Sequence, residues 1–501
     1  MAFDVGTTSI KCAALSLKDF EPVAQSSIRS TVAYPRPGWA EQDLERLWEE
    51  LLTLGRKVTE ERVGEEVRGL TFDAHMAGVV PVDEEGLPLR PAIIWLDERA
   101  AGLPRELWSG PLKLQGYSIP RLIKFLRVTG GAPSRTGKDV ISKVVWLAEN
   151  EPQVLSRARK LLDVKGFLLS RSTGAFVTGH DEASLTWMAD TRRNRAAWSR
   201  EILRKYGVRE DLLPEIRNST DVAGKLRAEV ASRLGVREVP VFVGAGDLTA
   251  AAVGSGAVRE GEVHVYLGTS DWVAAHSSKR RVDVFHYVGS ILSAIPGRYL
   301  TVAEQEVAAG ALEWVMRTLG VEDYGEVERM VSSVDRTALL FLPWLYGERS
   351  PVDDPNVRGG LINLTLDTER GEVLRAVMEG VALNVKWVFP YVERLVGRVR
   401  EVNVIGGGAL FDTWCQLLSS ALKLRVKRLS DPQLAGVRGL AAIASVGMGV
   451  YPSFEDAVAK FKVDRKFEPG REAAELEAKF VLFREAYRKL RGTFRALNLG
   501  V

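Results

Sequence analysis

Short apolar runs that end in glycine turns recur along this chain, and the most informative of them spans residues 241–258. Residues 241–243 are uniformly apolar, as in a buried strand, and residues 249–253 have the pattern of a helix start. Gly244 and Gly246 allow the backbone between these elements to turn tightly. Asp247 stands at the predicted strand-to-helix turn, where open α/β sheets bind ligands. An ordinary helix N-cap is the alternative role for its carboxylate.

Two other apolar runs lead into similar Gly-Thr turns. Residues 3–17 read as a hairpin, and residues 265–271 repeat the spacing of its turn about half a chain later. The first turn contains Gly6, Thr7 and Thr8, with Lys11 after it, and the second contains Gly268, Thr269 and Ser270. Such turns present N–H groups and hydroxyls to an anion, and Asp4 beside the first could hold hydrated Mg²⁺. A plain hairpin turn is the alternative, but the repeat predicts two similar domains with a nucleoside triphosphate between them.

Polar residues follow two predicted strands in the first half of the chain. Residues 41–57 form an amphipathic helix, and the strand over residues 67–72 leads into a loop with His75, Met76 and Ala77. The strand over residues 91–99 ends with Trp95 and Asp97, which suit stacking and hydrogen bonding to a polyol. A salt bridge at the strand end is an equally good interpretation.

The second half contains a helix over residues 304–319 and another over 371–385. Gly310 lies within the first, where it costs about 1 kcal/mol relative to alanine and indicates close approach of a ligand or helix. Residues 402–410 read as a buried strand that enters a turn of Gly406, Gly407, Gly408 and Ala409. Backbone of this kind can press against a flat ring. We place the domain boundary at the start of the Asp247 strand, which gives domains 1–240 and 241–501.

Composition narrows the class of protein. A chain of 501 residues with 46% hydrophobic and 27% charged residues is typical of a soluble globular protein of at least two domains. The net charge is only +3, and the arginines at 192, 193 and 195 fit a solvated face better than a nucleic-acid site. Cys12 and Cys415 are far apart, which favours a reducing cytoplasmic compartment over a disulfide or zinc framework. No signal peptide or apolar run of membrane-spanning length is visible, so no membrane partner is expected.

The motifs together resemble those of the FGGY family of carbohydrate kinases, in the actin-like ATPase superfamily, and most closely its xylulokinase branch. FDVGTTSIK resembles the family's first phosphate motif, VYLGTSD the second, VIGGGAL the adenosine motif, and GAGDLTAAAVGSG the segment of the catalytic aspartate. The loop FLPWLYGERSPVDDPNVRG is close to the xylulokinase pattern. The stretch from Gly359 to Glu379 follows the family pattern except that Asn363 stands where glycine is usual. The resemblance covers nearly the whole chain. It implies an α/β fold of two actin-like, ribonuclease H-like domains with a cleft between them.

The resemblance also implies an ATP-dependent sugar kinase, with D-xylulose or another ketopentose as acceptor. Asp247 would be the general base, and Asp4 and Asp247 would hold Mg²⁺. The residues expected to bind phosphate are Gly6, Thr7, Thr8, Lys11, Gly268, Thr269 and Ser270. Those expected near the adenosine are Gly310, Gly406, Gly407, Gly408 and Ala409, and those expected near the sugar are His75, Met76, Ala77, Trp95, Asp97 and Asp247.

One departure from the family pattern affects the choice of sugar. The family loop usually reads Gln-Met-His-Gly, whereas this chain has His75, Met76, Ala77 and Gly78, so alanine replaces the histidine that faces the sugar. Loss of such a contact costs about 1–3 kcal/mol, enough to change the preferred acceptor. Kinases for glycerol, a pentitol, a deoxy sugar or an inositol therefore remain alternatives, as does a non-catalytic sugar or nucleotide sensor. The expected partners are the sugar and ATP, with a homodimer left open.

Overall fold

The computed structural model describes residues 1–60, 63–114 and 116–498. Elements are numbered in chain order. The strands of the first half are β1 (Ala2–Val5), β2 (Ser9–Leu15), β3 (Pro22–Arg29), β4 (Glu41–Gln42), β5 (Leu70–Ala74), β6 (Val80–Val82), β7 (Ala92–Ile93), β8 (Lys113–Leu114), β9 (Tyr117–Ser118), β10 (Lys160–Leu162), β11 (Val177–Gly179), β12 (Ala189–Asp190), β13 (Ala197–Trp198), β14 (Glu215–Arg217), β15 (Val222–Lys225) and β16 (Pro240–Gly246). Its helices are α1 (Leu44–Val58), α2 (Val63–Glu66), α3 (Ile119–Thr129), α4 (Val140–Asn150), α5 (Pro152–Arg157), α6 (Val164–Thr173), α7 (His180–Leu185), α8 (Arg200–Lys205), α9 (Ala228–Leu234) and α10 (Asp247–Gly254).

The second half continues the numbering. Its strands are β17 (Val263–Leu267), β18 (Asp271–Ser277), β19 (Gly289–Leu292), β20 (Tyr299–Gln305), β21 (Leu340–Leu342), β22 (Gly360–Ile362), β23 (Glu401–Ile405), β24 (Arg425–Leu429) and β25 (Val463–Phe467). Its helices are α11 (Ala309–Leu319), α12 (Tyr324–Ser333), α13 (Arg370–Val396), α14 (Asp412–Leu422), α15 (Ala435–Gly447), α16 (Phe454–Val458) and α17 (Ala473–Leu497). Short 3₁₀ turns lie at Arg105–Trp108, Glu210–Leu212, Gly407–Leu410 and Pro432–Leu434.

Two large sheets have the same core topology. The first has the strand order β15-β16-β5-β1-β2-β3, and the second has the order β19-β20-β18-β17-β23-β24-β25. In each, the first strand of a hairpin pairs antiparallel with its hairpin partner and parallel with a later strand: β1 with β2 and β5, and β17 with β18 and β23. This is the strand order of a ribonuclease H-like domain. The predicted fold class and the predicted repeat of two hairpins are both confirmed.

Helices α10 and α15 follow the parallel strands β16 and β24 and cross each other at very close range. A Cβ atom on Gly254 would lie 1.7 Å from the carbonyl oxygen of Ala435, and one on Gly439 would lie 1.9 Å from that of Ala250. Only glycine fits at these two positions, because the opposing atoms are backbone. Helix α15 also packs against β1 and β5 of the first sheet, so the pair ties the two halves together.

The hydrophobic pattern explains the predicted elements well. Helix α1 begins after Asp43, whose carboxylate accepts hydrogen bonds from the backbone of Glu45 and Arg46 at 3.1 Å, and it buries Leu47 and Leu51 against the first sheet. None of the described helices is long and apolar enough to cross a bilayer.

Some predicted boundaries differ from the structure. Helix α11 begins at Ala309 rather than 304, because residues up to Gln305 pair with β18 as strand β20. The strand predicted over residues 91–99 is reduced to β7. Asn363 has φ +75°, a left-handed conformation that asparagine tolerates better than most residues and that glycine adopts freely. The domain boundary at 240/241 falls at the first residue of β16, which pairs within the first sheet, and stays a prediction.

Candidate active site

The site lies where the two hairpins, β16 and the N-terminus of α15 come together. The turn between β1 and β2 contains Gly6, Thr7 and Thr8, and Gly6 N–H donates to the carbonyl of Ser9 at 2.9 Å. The turn between β17 and β18 contains Gly268, Thr269 and Ser270, and Gly268 N–H donates to the carbonyl of Ser270 at 2.9 Å. Both turns therefore have the hairpin geometry that the sequence predicts.

Two carboxylates meet at the centre of the first sheet. Asp4 and Asp73 are register partners on the parallel strands β1 and β5. Lys11, opposite Asp4 on β2, places its Nζ 3.0 Å from Asp4 Oδ2. The Asp4 carboxylate raises the pKa of Lys11 above its usual value. Asp4 is thus neutralised by a cation in the folded state.

Asp247 is the third carboxylate of the site. It follows the last residue of β16, whose Gly246 is the register partner of Ala74, the neighbour of Asp73. Gly246 is the N-cap of α10 and Asp247 its first helical residue, so the N-cap alternative does not apply. Burial raises the pKa of Asp247 to about 7, against a hydrogen bond from Leu248 N–H at 2.8 Å that lowers it, with a further raising effect of Asp4.

Asp73 was not among the predicted site residues, although it is the most buried of the three carboxylates. One oxygen accepts a 3.3 Å hydrogen bond from Val5 N–H, and the other has no partner among the described residues. Burial, with Asp4 and Asp247 adding repulsion, raises the pKa of Asp73 well above its usual value. A signal for it existed in the sequence, because an acidic residue directly follows the strand predicted over residues 67–72.

The N-terminus of α15 approaches these carboxylates. A Cβ atom on Gly436 would lie 3.0 Å from Asp4 Oδ2 and 3.2 Å from Asp73 Oδ2. A side chain at position 436 would crowd the carboxylates of Asp4 and Asp73. A helix N-terminus carries positive partial charge, which favours anions at this place.

Asp181, on α7, fixes the backbone that carries Asp247. Its buried carboxylate accepts a 2.8 Å hydrogen bond from Gly246 N–H and a second one from the hydroxyl of Thr249. The strand-to-helix turn is thus held on both sides of Asp247. Sequence spacing gives no sign of these two contacts, because Asp181 precedes Gly246 by 65 positions and Thr249 by 68 positions.

The loop expected to face the sugar lies after β5. Met76 packs against Gly246: a Cβ atom on Gly246 would lie 2.5 Å from the sulfur of Met76. His75 is buried, its Nε2 lies 2.8 Å from Gln42 Oε1, and burial lowers its pKa to about 4, so it is neutral near pH 7. Ala77 has φ +58°, and its carbonyl accepts a 2.7 Å hydrogen bond from the buried Lys143 Nζ. The loop is therefore held in place by protein contacts.

Trp95 and Asp97 differ in exposure. Trp95 is partly exposed, whereas Asp97 is fully buried and its carboxylate is occupied by Arg99 at 2.8 Å and by Ala40 N–H at 2.6 Å. Arg99 also stacks 3.7 Å above the ring of Trp39. The salt-bridge interpretation of Asp97 is thus the one that the structure shows, with the pair buried rather than at the surface.

The glycine turn after β23 lies against the second hairpin. Gly406 has φ +93°, and a Cβ atom there would lie 2.4 Å from the carbonyl oxygen of Leu267, the last residue of β17. Gly407 is exposed, whereas Gly408 and Ala409 are buried. Gly310, in the first turn of α11, donates its N–H to the carbonyl of Thr269 at 3.1 Å. The residues predicted for the adenosine thus adjoin the second Gly-Thr turn.

The donor set suits a hydrated magnesium ion better than a dehydrated metal cage. No group of three or more His, Cys, Asp and Glu side chains in the described ranges is arranged to hold a metal ion directly. Mg²⁺ instead keeps several waters and binds through one or two carboxylates plus substrate phosphates. Asp4 and Asp247, with the unpartnered oxygen of Asp73 between them, fit that requirement.

Comparisons with known proteins agree with this architecture. The N-terminal domain of the FGGY family of carbohydrate kinases matches residues 1–254, and the C-terminal domain matches residues 263–448. A xylulose kinase of Escherichia coli is 27% identical over 98% of both chains, and a gluconokinase of Bacillus subtilis is 27% identical over 85% of this chain and 83% of its own. A ligand-bound xylulose kinase structure from Lactobacillus acidophilus superposes with a TM-score of 0.86 at 21% identity, over 99% of this chain and 100% of its own, and shows the shared fold. The chain belongs to the FGGY family of carbohydrate kinases and is a phosphotransferase that acts on a sugar hydroxyl.

Proposed function

We propose that this chain transfers the γ-phosphoryl group of ATP to a hydroxyl of D-xylulose, with Asp247 as the general base. The observation that carries the proposal is the convergence of Asp4, Asp73 and Asp247 between two Gly-Thr turns. Phosphoryl transfer depends on in-line positioning and charge neutralisation more than on covalent chemistry. The Gly-Thr turns suit the positioning of the phosphates, and the carboxylates suit removal of the proton from the sugar hydroxyl.

Asp247 has the properties that a general base needs. A pKa of about 7 leaves a substantial fraction ionised at neutral pH while keeping the carboxylate basic enough to accept a proton. Leu248 N–H occupies Oδ1, so Oδ2 is the oxygen we assign to the proton of the attacking sugar hydroxyl. The buried partner Asp181 holds the turn that aims it.

The nucleotide is assigned to the two turns and to the glycine turn after β23. Backbone N–H groups and hydroxyls at the turns would bind the phosphates, and Lys11 would add a positive charge beside them. Residues assigned to the phosphates are Gly6, Thr7, Thr8, Lys11, Gly268, Thr269 and Ser270. Residues assigned to the adenosine are Gly310, Gly406, Gly407, Gly408 and Ala409.

Asp4 and Asp247 would hold Mg²⁺ through its water shell. The ion would neutralise charge on the phosphates of bound ATP. Lys11 already pairs with Asp4, so this chain keeps the carboxylate oriented before any ligand binds. The raised pKa of Asp73 means that it is protonated over a wider pH range than an exposed aspartate, which limits repulsion among the three carboxyls.

The sugar is assigned to the loop of His75, Met76 and Ala77 and to Trp95. Asp97 would act through Arg99, because its own carboxylate is fully occupied. D-xylulose is the first choice because the xylulose kinase relatives align over nearly the whole chain. Gluconate is the second candidate, since a gluconokinase matches at the same identity.

A substrate panel tests the proposal. ADP release with ATP and Mg²⁺ is measured for D-xylulose, gluconate, glycerol, pentitols, deoxy sugars and inositols, with Asp247→Asn and the exposed control Asp367→Asn beside the wild type. We expect the highest kcat/KM for D-xylulose, loss of turnover in Asp247→Asn, and an unchanged control. A preference for gluconate would select the second candidate. A chain that binds sugar yet shows no turnover with any acceptor would contradict the proposal and favour a sensor.

A further inference from the structure

An aromatic pair on the second hairpin lies beside the carboxylates. Tyr266 on β17 and Trp272 on β18 are register partners, and their rings stack with centroids 3.8 Å apart and planes 4° apart. Trp272 Nε1 donates a 3.1 Å hydrogen bond to Nε2 of His264, which is fully buried. The orientation of the Tyr266 ring is therefore fixed by the ring beneath it.

The position of Tyr266 puts it at the junction of the two halves. The Tyr266–Trp272 pair packs against Ala251 of α10 and Ala435, the first residue of α15. The next residue, Gly436, is the one that approaches Asp4 and Asp73. Tyr266 thus packs beside the first residue of α15, and the next residue of that helix is the one that approaches the carboxylates.

The hydroxyl of Tyr266 points along the second Gly-Thr turn. A Cβ atom on Gly268 would lie 2.5 Å from the Tyr266 hydroxyl oxygen, so the ring covers this glycine. No hydrogen bond to that hydroxyl is found in the described parts of the chain. A hydroxyl without a protein partner is available to a ligand, and stacking on Trp272 would be served equally well by phenylalanine.

The hydroxyl is a donor at neutral pH. Burial raises the pKa of Tyr266 to about 12, while Lys11 lowers it and Asp4 and Asp247 raise it further. These three residues belong to the first half of the chain, so the Tyr266 phenol lies near the charged groups of the other half. A protonated phenol there suits an oxygen that carries negative charge.

We propose that Tyr266 donates its phenolic hydrogen bond to a non-bridging oxygen of the phosphoryl group during its transfer from ATP to the sugar. This rests on the proposed function and makes Tyr266 a catalytic residue. The P–O bond to ADP breaks, the P–O bond to the sugar oxygen forms, and the sugar proton goes to Asp247. Tyr266 keeps its proton throughout. Its contribution is a preorganised dipole at the point where charge is redistributed.

The test compares Tyr266→Phe with the wild type, using ATP and its γ-thio analogue as phosphoryl donors. Tyr34→Phe is the matched control, because Tyr34 is 67% exposed. We expect kcat with ATP to fall about 10- to 100-fold in Tyr266→Phe, with KM for the sugar changed less than about twofold. Sulfur accepts hydrogen bonds poorly, and the thio analogue keeps two terminal oxygens, so kcat with it should fall by no more than kcat with ATP. The ring stack is retained, so Tm should not change.

Unchanged kcat in Tyr266→Phe, or a loss that appears in KM for the sugar and not in kcat, would overturn the assignment and leave the proposed function standing. A wild-type chain that phosphorylates no acceptor would overturn the proposed function and this assignment together.

Discussion

Removing the charge of Asp247 should stabilise the fold while stopping catalysis. Below pH 3.8 the carboxyl is protonated in both the folded and the unfolded chain, so the charge contributes no cost to folding. Between 3.8 and about 7 the unfolded chain ionises and the folded chain keeps its proton, so stability falls as pH rises. Above about pH 7 the carboxyl is ionised in both states, and the folded chain has lost the full stability that the neutral carboxyl gave it below pH 3.8. The rise in pKa from 3.8 to about 7 corresponds to about 4 kcal/mol of stability.

Asp247→Asn removes that cost and keeps an oxygen for Leu248 N–H. The variant should therefore be more stable than the wild type by about 2 kcal/mol near pH 5.5 and by about 4 kcal/mol near pH 8. Chemical unfolding followed by tryptophan fluorescence at both pH values measures the difference. Asp367→Asn, at an exposed carboxyl, should change stability by less than about 0.5 kcal/mol.

The same variant should lose about 10²- to 10⁴-fold in kcat, and the wild-type kcat/KM should fall as pH drops below about 7. A stability gain that is equal at the two pH values would refute the reasoning, because it would mean that the carboxyl does not titrate between them. Retained turnover in Asp247→Asn would refute the assignment of the base.

Three further changes have clear expected outcomes. Gly254→Ala should lower stability by about 1–3 kcal/mol, because its Cβ would lie 1.7 Å from the Ala435 carbonyl; an unchanged Tm would contradict the close crossing. Lys11→Met should lower kcat/KM for ATP by about 10- to 100-fold, since it removes the cation beside Asp4; steady-state kinetics with varied ATP checks this, and an unaltered value would exclude Lys11 from the phosphate site. Ala77→His should raise the ratio of kcat/KM for D-xylulose to that for gluconate about tenfold, and an unchanged ratio would separate this position from acceptor choice.

The sequence predicted the local elements of the site more reliably than its long-range contacts. The two Gly-Thr hairpins and the turn at Asp247 follow from short-range pattern, and the structure has them where they were predicted. Asp73 was missed because its place depends on the register of β5 against β1, which spacing along the chain does not determine. The buried Asp97–Arg99 pair was only one of two open interpretations for the same reason.

Contacts between the halves could not be read from local pattern at all. The crossing of α10 and α15 depends on glycines that look like ordinary helix-weakening residues in the sequence. Tyr266 looked like one residue of an apolar strand, and only the fold brings it to Lys11. The homodimer and the cytoplasmic location stay predictions, since neither follows from contacts within one chain.

The most direct test of the central claim is to follow phosphorus by ³¹P NMR while the protein acts on ATP and D-xylulose with Mg²⁺. We predict a sugar phosphomonoester resonance that grows in step with ADP and is absent with Asp247→Asn. ADP formed together with inorganic phosphate and no phosphomonoester, for D-xylulose and every other acceptor of the panel, would contradict the account.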